Sequence, residues 1–267
     1  MTRRLWALLL RDIQTETSYR LAFLLDLSGA FFGVFVFYFL SQLIGDSAAA
    51  QINTRDGQYF PFVLVGIAFN GYFGVGLSSF SGALRTAQTT GTLEALLMTP
   101  ARPSTIIVGS AAYSYLFTTV RVGLYLLLGL ALGVRFAGAN WLGALVSLML
   151  AIIAFGSIGI MAAGFIMVLK RGNPITWLVG NLASLLGGVY YPIATLPGWL
   201  QPFSRLIPLT YALDAMRGAL LNGAGWAELA PNLLILALFC LILFPASLVV
   251  FRLALQRARV DGSLAHY

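Results

Sequence analysis

Charge is what this chain has least of. Only 9% of its 267 residues are charged, against about 25% in soluble domains, while 59% are hydrophobic and the mean hydropathy is +0.87. That deficit excludes an ordinary water-soluble domain and predicts a polytopic membrane protein. There is a single cysteine, Cys240, inside an apolar run, which excludes an intrachain disulfide and a thiolate metal cluster. The single histidine, His266, is next to last, so no His/Cys set is available to hold a metal and no serine has a histidine partner inside the fold for a triad. The single lysine, Lys170, follows no glycine-rich loop, so the phosphate cradle of an ATPase is missing. Acidic residues are scattered, with no close pair facing the membrane interior. Enzymatic chemistry and any ATP- or metal-bound cofactor within the chain itself are therefore not expected.

Six apolar runs are long enough to cross a bilayer, for which about 20 residues suffice: 21–44, 59–84, 104–132, 141–169, 174–191 and 231–255. The first exceeds the 7–15 residues of a secretory signal core and is read as a retained span in spite of the small-residue patch Ala48–Ala50. The basic residues set the orientation. Arg3, Arg4, Arg11, Arg20, Arg85, Arg102, Lys170, Arg171, Arg252, Arg257 and Arg259 fall on one side, and only Arg55, Arg135, Arg205 and Arg217 on the other. This predicts both termini in the cytoplasm and a multi-pass protein of the cell's inner (cytoplasmic) membrane. The formal net charge of +7 is then membrane charge asymmetry facing anionic lipid, not a nucleic-acid surface.

Several segments do not fit plain spans. Residues 1–20 repeat Leu5, Leu9 and Ile13 at helical spacing among arginines, the pattern of an amphipathic helix lying in the cytoplasmic interface, or of one packed on another subunit. Gly91–Thr99, between the second and third spans, has Leu93, Leu96 and Leu97 on one face and is closed by Pro100 and Pro103. It is expected either to dock a soluble partner or to lie on lipid. Gly187–Arg217 is too apolar for a loop, and Pro192, Pro197, Pro202 and Pro208 cut it into pieces of about five residues, the signature of re-entrant or interfacial structure. Such backbone is tolerated at membrane depth only where protein covers it or water reaches it. Within it, Leu209, Ala212, Leu213, Met216 and Leu220 form one helical stripe over 208–221, read as an outer interfacial helix in which Asp214 and Arg217 can pair.

The motifs GTLEALLMTP at 91–100 and GGVYYPIATLPGWLQPFSRLIPLTYALDAMR at 187–217, in that order, resemble the permease (membrane subunit) of type-2 ABC exporters. The resemblance covers essentially the whole chain. It implies an all-α fold of six transmembrane helices with an N-terminal interface helix, a cytoplasmic coupling helix and an extracellular re-entrant segment after the fifth span, in one transmembrane domain. Two permease copies, as a homodimer, would sit on two separate ATP-binding cassette subunits that bind the ATP and Mg. Gly91, Thr92, Leu93 and Glu94 would lie in or beside the coupling helix, and Tyr190, Tyr191, Pro192, Leu196, Pro197 and Leu200 would close the outer mouth. The chain departs from the family just before the Gly-Thr, where acidic residues are common and Ala87, Gln88, Thr89 and Thr90 stand here.

Three softer features remain. Phe62, Phe69, Phe73 and Phe80 share a face of the second span, and Phe31, Phe35 and Phe39 one of the first; these faces suit helix packing, lipid contact or a path for a lipid tail, flat drug or sugar. Phe35, Phe69, Phe73 and Asn181 are the path candidates. Small residues at Gly29/Gly33, Gly129/Gly133 and Gly180/Ser184/Gly188 permit close helix approach, and the resemblance suggests that the last set serves a seam between subunits. Arg121 is the intramembrane charge, expected to act in function, to snorkel outward, or to pair with carbonyls released where the proline-cut segment interrupts helix. A secondary transporter or channel working without an ATPase, and a membrane enzyme or scaffold, are the competing functional classes.

Overall fold

The computed structural model describes residues 20–44, 58–89, 103–136, 138–169 and 174–260. Every regular element among them is helical. Long apolar runs with few helix breakers give α1 (Arg20–Ile44), α2 (Tyr59–Thr89), α3 (Pro103–Ala131), α4 (Trp141–Leu169) and α8 (Trp226–Val260). Between α4 and α8 the prolines take over. There the chain forms α5 (Pro174–Leu186), a 3-10 turn (Ile193–Thr195), the single turn α6 (Gln201–Ser204) and α7 (Pro208–Leu220). Proline opens both α5 and α7, where its missing N–H costs nothing.

Among the described residues, four helical stretches are long and apolar enough to cross a membrane: Tyr59–Gly82, Ala111–Ala131, Trp141–Ile166 and Trp226–Arg257. The other two expected spans are shorter in the described apolar stretches, which cover Ser28–Ile44 of α1 and Thr176–Leu186 of α5. Expected to run over 174–191, α5 stops after 13 residues, or about 20 Å at 1.5 Å per residue, well short of a hydrocarbon core of about 30 Å. The last span begins earlier than expected: α8 starts at Trp226, carries Glu228 in its first turn, and holds Pro231 and Pro245 inside. The carboxylate suits the positive end of the helix dipole.

The core centres on α2, which packs against α1, α3, α4, α5 and α7. Its apolar window is 72% buried, against 17% for that of α8, whose main neighbours are α4 and α7. Glycine makes the tightest seam. A Cβ on Gly76 of α2 would lie 2.6 Å from Phe155 Cβ of α4, and one on Gly159 would overlap the Gly76 carbonyl oxygen. These two helices therefore touch backbone to backbone, the close approach that small residues allow in membranes. Phe73 fills the adjacent space edge-on to Phe155, ring centroids 5.0 Å apart.

Alternating helix direction gathers the end of α1, the starts of α2, α4 and α8, and the whole proline-cut segment at one end of the bundle. That end is closed by Asn140, which caps α4 by accepting the Gly143 N–H at 2.9 Å. Its own backbone N–H reaches the Ala219 carbonyl of α7 at 2.8 Å, and its side-chain amide donates to the Ala224 carbonyl at 3.0 Å. One residue thus satisfies groups that the two helix ends would leave unbonded.

Candidate functional site

The site is built where α5 fails to continue. The Gly187 N–H still bonds the Ala183 carbonyl at 2.7 Å, and then Gly188 adopts φ +76° and turns the chain out of the helix. That conformation strains any residue with a Cβ. Val189 follows, fully buried, and its carbonyl now has no helical partner of its own segment to point at. Tyr190 swings outward and stacks on Phe37 of α1, centroids 5.7 Å apart. Beyond it, short-range bonds replace helix. The Thr195 N–H and hydroxyl both reach the Pro192 carbonyl, Leu196 N–H bonds Ile193, and Gln201 Nε2 donates to the Leu196 carbonyl at 3.0 Å. The Thr210 hydroxyl, at the start of α7, donates to the Ser204 carbonyl at 2.7 Å and anchors α6.

Helix α7, expected as an outer interfacial helix, packs within the subunit. Ten of its thirteen residues are buried, among them Leu209, Leu213, Ala215 and Ala219 at 0% exposure. Its apolar stripe meets α2, α4, α5 and α8. Arg217, expected on the outer side and able to pair with Asp214, is only 4% exposed. Its Nε donates to the Phe62 carbonyl of α2 at 3.1 Å and its Nη2 to the Val189 carbonyl at 3.1 Å, while Cζ sits 3.5 Å from the centroid of the Phe62 ring. Charged hydrogen bonds contribute about 1.5–3 kcal/mol each, and a desolvated cation–π contact about 2 kcal/mol. Burial pushes the guanidinium down to about 9, opposed by the Asp214 carboxylate, so it remains charged at neutral pH. Gly66, one turn after Phe62, makes room: a Cβ there would overlap the Val189 carbonyl oxygen and lie 2.7 Å from Arg217 Nη2.

Next to this clamp opens a cavity of about 510 Å³, lined by Phe62, Arg217, Asp214, Asn222, Glu228 and Asn232 together with residues of the break. Asp214 and Glu228 are exposed, and the two amides are half-buried. A polar recess of that size holds water readily. The broken backbone is thus covered by α2 and α7 on one side and opens on this recess on the other; cover by protein or access to water is what lets irregular chain persist at membrane depth.

The other expected site residues fall in different places. Tyr190, Tyr191, Pro192, Leu196 and Leu200 are half-buried and Pro197 is exposed, all in the break. Phe69 and Phe73 do not line a path in this chain. They are 8% and 2% exposed, against Tyr72 and Phe155 respectively, because they lie on the packed face of the central helix. Phe35 (40% exposed) and Asn181 are on the outside of α1 and α5, and the Asn181 amide donates to the Trp177 carbonyl at 2.8 Å. Arg121 is half-buried on α3 with Cζ 5.6 Å from the Phe117 ring centroid. The Val189 carbonyl at the break is bonded by Arg217. Gly91, Thr92, Leu93 and Glu94, and the N-terminal segment 1–19, lie outside the described residues. Sequence reasoning missed Gly66, Asn140 and the burial of Arg217. The last had a signal, since Arg217 stands four residues after Leu213 and three before Leu220, on the apolar stripe itself.

Helices long and apolar enough to span, one shorter apolar helix that ends in a break, and a recess with charged and amide side chains at that break fit a multi-pass membrane protein. Residues 3–221 match the family model described as ABC-2 type transporter. The chain belongs to the ABC-2 type transporter family and is a membrane permease component of such transporters. No curated protein matches the chain.

Proposed function

We propose that this chain is the permease subunit of an ATP-driven exporter. Two copies enclose a path for a lipid, a hydrophobic drug or a lipid-linked glycan, and separate ATP-binding cassette subunits hydrolyse the ATP. The observation that carries the reading is the family match over 3–221, which spans both the 91–100 motif and the break. In this reading six segments cross, the fifth made by α5 together with the proline-cut chain that follows it, both termini are cytoplasmic, and Gly91–Glu94 transmits ATP-driven motion. The segment Tyr190–Leu200 closes the outward mouth. The face of α5 that carries Trp177, Leu178, Leu182 and Leu185, at 70%, 52%, 46% and 49% exposure, supports a homodimer seam there.

The test is reconstitution. The complex purified with its ATP-binding subunit is expected to move substrate only when ATP is hydrolysed. A chain that never co-purifies with such a subunit and transports along an ion gradient would instead be a secondary transporter. For the gate, the double substitution Pro192→Ala and Pro197→Ala is expected to impair export while leaving assembly with the ATP-binding subunit intact; unchanged export would remove the gate role.

A further inference from the structure

We propose that Arg217 is a positioning residue that makes the break, α7 and the beginning of α2 one rigid block. The outward gate then opens by moving that block past α1, not by flexing at Val189–Pro197. The inference rests on the exporter reading above and deepens it by saying which seam moves.

Three observations converge on the block. One guanidinium bonds the Val189 carbonyl at the break and the Phe62 carbonyl on α2, each at 3.1 Å, and covers the Phe62 ring from 3.5 Å. The planar fork of arginine makes these contacts simultaneously and in fixed geometry, which the single nitrogen of lysine cannot do. Gly66 lets the Val189 carbonyl lie directly on the α2 backbone, so there is no gap for a hinge to use. Finally, the far end of α7 is held to α4 through Asn140 and the Ala219 carbonyl. A flap hinged at Val189 would have to strip a buried cation of a partner each time it opened, and interactions to a buried charge are the most costly to leave unmade.

The seam toward α1 is different. There the break meets α1 through the ring pair Phe37–Tyr190, both half-buried, with centroids 5.7 Å apart and planes 17° from parallel. Stacked rings slide without stranding a charge or a hydrogen bond. Helix α1 also contacts the central helix far less than α3 or α4 does. Motion is therefore expected between Phe37 and Tyr190.

Pulsed electron-spin distance measurements test this on the complex with its ATP-binding subunit. The background is Cys240→Ala, and labelled permease is diluted with unlabelled permease to suppress distances between copies. One label pair lies within the block, at Gln58 and Gly198; a Cβ at Gly198 meets nothing within 4 Å. The other crosses the seam, at Val36 and Gly198, Val36 being 59% exposed. Between the nucleotide-free and vanadate-trapped states the Gln58–Gly198 distance is expected to stay within its resting width, and the Val36–Gly198 distance to shift beyond it. Arg217→Met is expected to broaden the Gln58–Gly198 distribution and abolish export while ATP hydrolysis continues. Arg217→Lys, which keeps the charge and one bond, should give intermediate width and partial export. A wild-type Gln58–Gly198 distance that shifts with nucleotide overturns the proposal. So does an Arg217→Lys distribution as narrow as the wild type's. If Arg217→Met does not fold, the wild-type and Arg217→Lys measurements decide. Failure of the exporter reading looks different: no ATP-binding subunit co-purifies, or neither distance responds to ATP. The resting widths of wild type and Arg217→Lys then still report whether the clamp holds.

Discussion

Helices α5 and α7 are alike on paper. Each has 13 residues, each begins with proline, and neither can cross a bilayer. Their surroundings differ. In α7 ten residues are buried within the subunit, including a charged one. In α5 only Thr176 and Ala183 are buried among the residues whose side chains are described, and Trp177, Leu178, Leu182 and Leu185 face outward. The lesson is that a short apolar helix in such a protein can be finished in two ways. Helix α7 is completed by its own chain, so it can carry a buried cation whose partners are fixed. Helix α5 leaves an apolar face exposed among the described residues of its own subunit, which suits lipid or a second copy.

Substitutions can sharpen or break that contrast. The largest effect is expected from Leu213→Ala on α7: the side chain is fully buried, and truncation should cost about 2–5 kcal/mol, read as a lower SDS-unfolding midpoint. A loss no greater than that of the matching α5 variant would erase the distinction. Gly66→Ala comes next. Its methyl group would collide with the Val189 carbonyl and crowd Arg217, and overpacking of this kind costs about 1–3 kcal/mol; an unchanged unfolding midpoint would show that the break does not press on α2. Thr210→Val removes the 2.7 Å bond to the Ser204 carbonyl. It should cost about 1 kcal/mol, together with faster amide exchange over α6 and the start of α7. The smallest effect on subunit stability, within about 0.5 kcal/mol, is expected for Leu182→Ala, at 46% exposure. Its consequence should appear as a smaller dimer fraction by light scattering in detergent, and an unaltered fraction would assign that face to lipid.

Much of the architecture was legible in the residues. Apolar run length located the helices to within a few residues at most ends, as in 141–169 against Trp141–Leu169, and the prolines located the break. The stripe through Leu209, Leu213 and Leu220 announced α7. What it could not announce was which medium the stripe would meet, because lipid and protein interior are equally apolar and select the same side chains. The same ambiguity left packing, lipid contact and a path all open for Phe69 and Phe73, and the structure buries both on the face of α2 that packs inside the subunit. Attention went to Arg121 because it interrupts a long run, while Arg217 sits in a segment already rich in turn residues, where a charge looks ordinary. Its place on the stripe signals that it is covered, but its partner Phe62 lies 155 positions away, and no local pattern encodes such a distance. Asn140 was invisible for the same reason: its cap on α4 is local, but its grip on α7 is not.

The bond from Arg217 to Phe62 also sets a timetable for making the protein. Its two ends are separated by 155 residues, and ribosomes add about 5–20 residues per second. The start of α2 therefore waits about 8–30 s for the arginine that completes it. Through that interval the Phe62 carbonyl has no guanidinium beside it, and a chain ending before residue 217 never gains one. The order of synthesis thus makes the clamp a late addition to the helix at the centre of the core.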